Sequence, residues 1–231
     1  MNIALIGYGK MGKLVERRAQ RQGMTVSLIL DSKNNERFQG LTPENLAGID
    51  VCIDFSTPQA VVENIRRIAR AGVNMVVGTT GWYEHLEEVR RIVAQSGIGF
   101  VYGPNFSLGM NLFFKIVEYA AHLFHRFQEF DPFIEEAHHK LKKDAPSGTA
   151  LALGRILEAA YVDHHVPISS VRAGYIPGTH AVSFDSPVET ITLKHVARSR
   201  EGFADGALLA ARWIVGKKGF YAFQELVERT G

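Results

Sequence analysis

The sequence has a single cysteine, Cys52, among its 231 residues. One thiol cannot form an intrachain disulfide or a cysteine-based zinc site. Cys52 lies in the apolar run 49–55, which is typical of a buried strand. We therefore expect a packed core thiol here rather than a nucleophile.

The chain also lacks a large excess of charge of either sign. The chain has 26 Lys and Arg against 24 Asp and Glu, so the formal net charge is only +2. Such a weak, dispersed charge argues against nucleic acid and anionic membranes as partners. No apolar run is long enough for a membrane span, and the first residues lead into a strand-like run without a preceding basic segment. We expect a cytoplasmic protein with no nucleic-acid or membrane partner.

The first hundred residues alternate between short apolar strands and helices. Strands are predicted at 3–6, 24–30, 51–55, 73–77 and 99–102, and helices at 13–22, 58–71 and 82–96. Repeated strand–helix units with uninterrupted apolar strands are typical of a parallel sheet covered on both faces. We therefore predict an α/β fold with a Rossmann-type doubly wound parallel sheet.

The pattern changes after Pro104. A long aromatic-rich helix is predicted at 108–127, a strand at 131–136, a helix at 147–161 and three β-patterned stretches at 166–172, 178–186 and 189–197. Strands without intervening helices favour a second α+β domain on a mixed or antiparallel sheet. Helices at 203–215 and 223–229 close the chain, which we expect to return to the first domain.

A glycine pattern lies between the first predicted strand and helix, at Gly7, Gly9 and Gly12. In this position the first glycine makes a tight turn, the second lets the backbone approach a pyrophosphate, and the third packs helix against strand. The helix N-terminus favours the phosphates. Asp31 ends the second strand, where an acid accepts from ribose hydroxyls. The pattern predicts an NAD(P)-binding site; the alternative is a turn without a ligand.

The choice between NADH and NADPH stays open. Lys33 either pairs with the 2′-phosphate of NADP or is a solvated loop lysine. Three further loops, 55–58, 78–81 and 103–106, follow predicted strands at the edge where open α/β sheets bind ligands. Each loop alone is an ordinary turn, but their shared edge favours a role in cofactor binding.

Titratable groups are concentrated between residues 135 and 144, which include His138, His139 and Lys142. Neighbouring cations lower a histidine pKa, which suits a proton donor near neutrality. Ser147 begins a predicted helix whose first N–H groups can bind a carboxylate. On composition alone, a solvated basic loop before a Ser-capped helix is the simpler interpretation. We predict no metal site, since adjacent histidines in an extended segment point to opposite sides and no third ligand is evident.

The segment 136–150, with its Glu-Ala-His-His start and Asp-Ala-Pro-Ser-Gly-Thr-Ala end, resembles the signature of the dihydrodipicolinate reductases. The resemblance covers essentially the whole chain, including the glycine loop and residues 54–56, 78–81, 105–109, 172–174, 178–180 and 199–204. It implies reduction of 4-hydroxy-tetrahydrodipicolinate, a dicarboxylate of lysine and diaminopimelate synthesis, by NADH or NADPH with hydride transfer to C4. It also implies a homotetramer assembled through the second-domain sheet. The glycine loop is one residue shorter than the frequent form of the family.

The resemblance also implies residue roles. His138 would be the proton donor and Lys142 its catalytic partner, while His139, Ser147, Gly148 and Thr149 would bind the substrate. The cofactor would be bound by Gly7, Tyr8, Gly9, Lys10, Met11, Gly12, Asp31, Gly78, Thr79, Thr80, Tyr102, Gly103, Pro104 and Asn105.

We expect the chain to divide into a dinucleotide-binding domain at 1–104, completed by 199–231, and a substrate-binding and oligomerisation domain at 105–198.

One alternative function is that of another two-domain amino-acid dehydrogenase, but this function does not explain the His-His-Lys segment. A second is a non-catalytic dinucleotide sensor, which needs no proton donor. Phosphorylating semialdehyde chemistry needs a cysteine in a polar setting, and Cys52 is poorly placed for it.

Overall fold

The computed structural model describes residues 1–162 and 164–229. It comprises two compact units: unit 1 is Met1–Leu108 with Glu201–Gly231, and unit 2 is Gly109–Arg200. Residue 163 of the predicted substrate-binding domain and residues 230 and 231 of the predicted dinucleotide-binding domain lie outside the described residues. Within the described ranges, no helix is long and apolar enough to cross a membrane.

The secondary structure comprises the following elements. The strands are β1 (Asn2–Ile6), β2 (Thr25–Leu30), β3 (Val51–Asp54), β4 (Asn74–Val77), β5 (Gly99–Tyr102), β6 (Asp131–His138), β7 (Ile168–Arg172), β8 (Thr179–Asp185), β9 (Thr190–Val196) and β10 (Gly219–Ala222). The helices are α1 (Lys10–Arg21), α2 (Pro58–Arg70), α3 (Leu86–Ser96), α4 (Leu108–Phe124), α5 (Gly148–Ala160), α6 (Glu201–Ile214) and α7 (Phe223–Arg229), with short 3-10 turns at Glu36–Phe38 and Tyr83–His85.

Unit 1 is built on a six-stranded parallel sheet in the order β10-β5-β4-β3-β1-β2. Successive residues of β1 pack into different cores: Ile3 and Leu5 lie in one, and Ala4 and Ile6 in the other. Both faces of the sheet are therefore covered, which explains the uninterrupted apolar strands. The prediction of a Rossmann-type doubly wound sheet is confirmed.

Cys52 lies on β3 and is fully buried. Burial raises the pKa of its thiol above the ordinary value, and the nearby Asp54 adds to the rise. A buried thiol that stays protonated is a core residue, as the sequence predicts.

Three elements of unit 1 differ most from the sequence prediction. Helix α1 begins at Lys10 rather than at residue 13, because Gly9 is its N-cap and the Gly9 carbonyl already accepts from the Lys13 N–H at 3.1 Å. A 3-10 turn precedes α3, which begins at Leu86 instead of residue 82. Strand β10 was not predicted, since four half-buried residues give no clear apolar run. It pairs with β5, and Phe220 stacks on Phe100 with ring centroids 5.1 Å apart.

Unit 2 has a four-stranded sheet in the order β7-β6-β8-β9. Strand β6 is parallel to β7 and antiparallel to β8, and β8 is antiparallel to β9, so the predicted mixed sheet is confirmed. Residues of α4 and α5 form a core with apolar residues of the sheet, among them Ile134, Val182 and Phe184.

Strand β6 is longer than predicted. The sequence pattern predicts that the strand ends at Glu136, with both adjacent histidines in a loop, whereas the structure extends the strand to His138. The alternating burial continues to the end of the strand, with Ile134, Glu136 and His138 all on the buried side. His138 is therefore fixed by the register of the sheet.

Candidate active site

The loop between β1 and α1 has the close packing of a phosphate-binding turn. Gly7 has a φ of 90°, and a Cβ there would overlap the backbone of Phe55. A Cβ on Gly12 would overlap the Gly7 carbonyl oxygen. Both positions therefore require glycine. Because this turn leads directly into the N-terminus of α1, it fits a dinucleotide pyrophosphate.

A cavity of about 570 Å³ lies beside this turn. Gly7, Tyr8, Gly9 and Asp31 line it, together with Phe38 from the loop after β2. This volume is typical of a small-ligand site. Among the other predicted cofactor residues of the loop, Lys10 is exposed, and Met11 packs against the core of unit 1. Lys10, Met11 and Gly12 are not among the described residues that line the cavity.

Asp54, at the end of β3, connects the loops after β3 and β4. Its Oδ1 accepts from the Ser56 N–H at 2.9 Å and from the hydroxyls of Ser56 and Thr79, both at 2.7 Å. Its Oδ2 accepts from the Asn64 amide at 2.8 Å. Burial raises the pKa of Asp54, while these hydrogen bonds oppose the rise. Asp54 was not predicted as a site residue, although it holds a loop that lines the cavity.

The remaining predicted cofactor residues also lie in unit 1. The buried Thr79 uses its hydroxyl on Asp54, and Thr80 is exposed. A Cβ on Gly78 would overlap the Phe55 ring. The others follow β5 or end it: Tyr102 packs among aromatic rings, Gly103 is buried, Pro104 is exposed, and the Asn105 side chain accepts from the Ser107 N–H at 2.8 Å.

In unit 2, the sheet register gathers polar side chains from four strands. Glu136 on β6 lies opposite His180 on β8, which lies opposite His195 on β9. His138, two residues beyond Glu136 on the same face, lies opposite Arg172 on β7. The sheet therefore holds one carboxylate, three histidines and one guanidinium in two neighbouring rows.

The Glu136 carboxylate is at the centre of this group, and its side chain is fully buried. Its Oε1 accepts from Arg172 Nη2 at 2.6 Å and from the Ser147 N–H at 3.3 Å, and its Oε2 contacts His138 Nδ1. Burial raises the pKa of Glu136, but hydrogen bonds from Arg172, Ser170 and His138 lower it to about 2. Glu136 is therefore ionised at neutral pH.

His138 is 8% exposed. Burial lowers its pKa below the ordinary value, the bond to Glu136 opposes this, and the charges of Lys142 and Arg172 lower it further. The predicted direction of the His138 pKa shift is confirmed, but the predicted main cause is wrong, since burial outweighs the neighbouring cations.

His180 is also buried, and its ring centroid lies 5.1 Å from that of His138. Burial and the charge of His138 lower its pKa to about 4, so His180 is neutral at pH 7. Its Nε2 lies 3.2 Å from the Ser147 hydroxyl, which also accepts from the Ala150 N–H at 3.2 Å.

Ser147 is the N-cap of α5, as predicted, and is 2% exposed. Its hydroxyl is engaged within unit 2, so the groups of this turn that remain for a ligand are the backbone N–H groups after it. Gly148 is exposed and Thr149 is half-buried there. At the N-terminus of α5, the backbone N–H groups are therefore available to bind a carboxylate, and the serine side chain is not.

Lys142 and His139 complete the predicted set. Lys142 Nζ donates to both carboxylate oxygens of Asp144, at 2.8 and 2.9 Å. His139 is half-buried, and its Nδ1 is buried without a hydrogen-bond partner in the described structure.

The reason given for expecting no metal site is wrong. Ligand-type atoms of Glu136, His138 and His180 lie within 4.8 Å of one another in the described part of the chain. However, Glu136 and His138 are bonded to each other, and Arg172 adds a positive charge next to Glu136. A cation would be repelled by that charge. We propose no metal here.

Sequence reasoning missed Glu136, Arg172 and His180 as members of the site. All three lie within stretches that carry the family resemblance. Their proximity depends on strand pairing between segments far apart in the chain, and periodicity does not give that pairing.

Comparisons with known proteins find relatives over almost the whole chain. Residues 1–106 match the family model described as "Dihydrodipicolinate reductase, N-terminus", and residues 109–227 match "Dihydrodipicolinate reductase, C-terminus". A 4-hydroxy-tetrahydrodipicolinate reductase of Christiangramia forsetii is 35% identical, with 98% of each chain covered. One from Archaeoglobus fulgidus is also 35% identical, covering 99% of this chain and all of its own.

Solved structures give the same result. A dipicolinate-bound dihydrodipicolinate reductase from Paenisporosarcina superposes with a TM-score of 0.82 at 25% identity, covering 98% of this chain and 99% of its own. A diaminopimelate dehydrogenase of C. glutamicum shares the fold, with a TM-score of 0.58 at 13% identity over 97% of this chain and 93% of its own.

Proposed function

The chain belongs to the dihydrodipicolinate reductase family, whose members are NAD(P)H-dependent oxidoreductases, and we propose that it reduces 4-hydroxy-tetrahydrodipicolinate to tetrahydrodipicolinate. This reaction belongs to lysine and diaminopimelate synthesis. The observation that supports it most is the placement of His138 at the end of β6, bonded to Glu136, which also accepts from the first N–H of the α5 turn. Glu136 thus connects the titratable His138 to the N-terminus of α5, which is suited to binding a carboxylate.

We propose that unit 2 binds the substrate. The backbone N–H groups at Gly148 and Thr149 would hold one carboxylate, and His139 and Lys142 would hold the other. The Paenisporosarcina relative was solved with dipicolinate, a ring dicarboxylate similar in shape to the proposed substrate. Lys142 would exchange Asp144 for the substrate, which keeps the charge of the ammonium group paired.

His138 is the proposed proton donor. The C4 hydroxyl and a proton of the neighbouring carbon would first leave as water, which gives a conjugated ring, and bound NAD(P)H would then supply the hydride that adds to C4. Negative charge develops on the neighbouring carbon, and the His138 imidazolium transfers the proton from Nε2 to that carbon. The nearby Lys142 ammonium favours the developing charge.

Unit 1 is the proposed cofactor-binding unit. The turn at Gly7 and Gly12 would hold the pyrophosphate, and the cavity that Asp31 lines would hold the adenosine half. The Asp31 carboxylate is oriented by the Lys33 N–H at 2.8 Å. A carboxylate there accepts from a 2′-hydroxyl and repels a 2′-phosphate. We therefore propose NADH as the preferred cofactor.

The same proposal includes a cytoplasmic homotetramer. The face of the unit 2 sheet opposite its core carries Glu135, Val171 and Val196, all exposed in the chain. An open sheet face with apolar residues is suited to association with another copy. Light scattering coupled to gel filtration tests the tetramer.

A coupled assay tests the reaction. Purified protein is combined with dihydrodipicolinate synthase, pyruvate and aspartate semialdehyde, and the loss of nicotinamide absorbance is followed with NADH or NADPH. Turnover that requires the purified protein, the synthase, pyruvate and aspartate semialdehyde supports the proposal. NADH binding in titrations without any turnover in the coupled assay would favour the dinucleotide sensor instead.

A further inference from the structure

Glu136 contacts the proposed proton donor on the nitrogen opposite the one that would act on the substrate. Its Oε2 contacts His138 Nδ1, while Gly178 leaves room at Nε2, where a Cβ would lie only 3.1 Å away. Since Glu136 is ionised and its side chain is fully buried, it can only accept hydrogen bonds. His138 must therefore present an N–H at Nδ1.

The other carboxylate oxygen of Glu136, Oε1, accepts hydrogen bonds from two donors. Arg172 donates to Oε1 at 2.6 Å, and the Ser147 N–H donates at 3.3 Å. Arg172 is itself fixed, because it also donates to the backbone oxygens of Asp144 at 2.6 Å and Val171 at 2.8 Å. The orientation of the Glu136 carboxylate is thus set from β7 and from the start of α5.

We propose that Glu136 is a positioning residue that fixes the tautomer and ring orientation of His138, so that Nε2 faces the substrate. The proposal deepens the proposed function and depends on it for its kinetic consequence. The resemblance to the family implies no such role for Glu136. A structural ion pair with Arg172 would hold β6 to β7 equally well, and the test must separate the two roles.

The tautomer matters because of the proton balance. The imidazolium of His138 carries a proton on each nitrogen. When the Nε2 proton moves to the substrate carbon, the ring becomes neutral with its remaining proton on Nδ1. Glu136 accepts a hydrogen bond from that Nδ1–H before and after the transfer and takes no proton itself.

Replacing Glu136 with Gln reverses this arrangement without changing the size of the side chain. The two donors at Oε1 require the amide oxygen on that side, so the amide NH2 must face His138 Nδ1. Nδ1 then becomes an acceptor, and the neutral ring carries its proton on Nε2. Loss of that proton would leave an anionic ring, so the variant cannot complete the transfer.

The experiment combines nitrogen NMR of the histidine rings with coupled kinetics. The full chain is labelled with 15N-histidine, and the His138 signals are assigned by their loss in His138→Gln. Glu136→Gln is compared with the wild type and with Glu129→Gln, which changes an exposed carboxylate just before the same strand. Kinetics give kcat and the substrate KM for each protein.

The wild type should show neutral His138 protonated at Nδ1, and Glu136→Gln should show it protonated at Nε2. We expect kcat of Glu136→Gln to fall about 100-fold or more while KM changes by less than about threefold, and Glu129→Gln to match the wild type. Retained kcat in Glu136→Gln would overturn the proposal, and so would an unchanged tautomer.

Two further outcomes are distinguishable. If Glu136→Gln does not fold, the wild-type spectrum alone decides, because neutral His138 protonated at Nε2 contradicts the proposal. If the wild type binds NADH but has no turnover, the proposed function fails, while the NMR result still shows whether Glu136 sets the tautomer.

Discussion

Gly178 lies against the ring of His138, and a Cβ at position 178 would be 3.1 Å from His138 Nε2. Carbon at that distance is closer than ordinary packing allows, so the ring would have to shift. The residue beside the proposed proton donor is therefore required to be small.

Replacing Gly178 with Ala should displace the His138 ring and lower kcat about tenfold or more. Gly202→Ala is the matched control, since its added Cβ would meet only Ser107 Oγ at 3.8 Å, an ordinary contact. Steady-state kinetics in the coupled assay measure the difference. Equal kcat for both variants would show that space at position 178 is not needed.

Stability should fall as the pH drops from 7 to 5. His180 has a pKa of about 4 in the folded protein and 6.5 when unperturbed. Because the folded pKa is lowered, the unfolded state binds the proton first. The stabilisation is therefore complete above about pH 6.5 and is lost as the pH falls towards 4. His180 alone should account for about 2 kcal/mol of this loss between pH 7 and 5.

Urea unfolding of the wild type and His180→Asn at both pH values measures this contribution. The variant should lose less stability than the wild type over this range. The remaining slope comes from His138 and His195, whose pKa values are lowered by burial as well. The same slope in both proteins would refute the role of His180.

Asp54 should matter for cofactor binding as a hydrogen-bond acceptor rather than as a charge. Asp54→Ala leaves the donors of Ser56, Thr79 and Asn64 without their acceptor, so we expect the Kd for NADH to rise about tenfold. Asp54→Asn should raise it by less than about threefold, since the Asn64 amide can rotate. The Asn64 Oδ1 is buried without a hydrogen-bond partner in the described structure and can accept from the amide introduced at position 54.

Isothermal titration with NADH compares the two Asp54 variants, with urea unfolding as a check on folding. If Asp54→Asn binds as weakly as Asp54→Ala, the negative charge is what the loops require.

Asp31 should set the choice between NADH and NADPH. Asp31→Ser removes the charge that repels a 2′-phosphate, so the kcat/KM ratio of NADPH to NADH should rise about tenfold. Lys33→Ala is the control, because Lys33 is not among the described residues that line the cavity. A fall in NADPH use in Lys33→Ala would instead assign the 2′-phosphate site to that lysine.

Both sheets follow from sequence pattern, but their finer details do not. The apolar strands of unit 1 have a strong local signal, so β1 to β5 were predicted within a few residues. Strand β10 has none, and it forms because Phe220 can stack on Phe100 at the edge of a sheet that already exists. The strand is stabilised by tertiary contacts with the rest of the sheet, and local sequence propensity does not predict such contacts.

The site divides in the same way. His138, Lys142 and Ser147 lie in one segment and were predicted from it. Arg172 and His180 join them only through the pairing of β6 with β7 and β8, and a shift of one residue would turn these side chains to the other face. Burial of His138 depends on the same pairing, which is why the sequence gives the wrong main cause for its lowered pKa.

Kinetics of His138→Gln in the coupled assay test the central proposal most directly, with His122→Gln as a control for an exposed histidine of α4. If His138 donates the proton, kcat should fall about 100-fold or more with KM nearly unchanged, because a glutamine side chain has no comparable acidic proton. A kcat equal to that of the wild type would contradict the assignment of His138 as the proton donor.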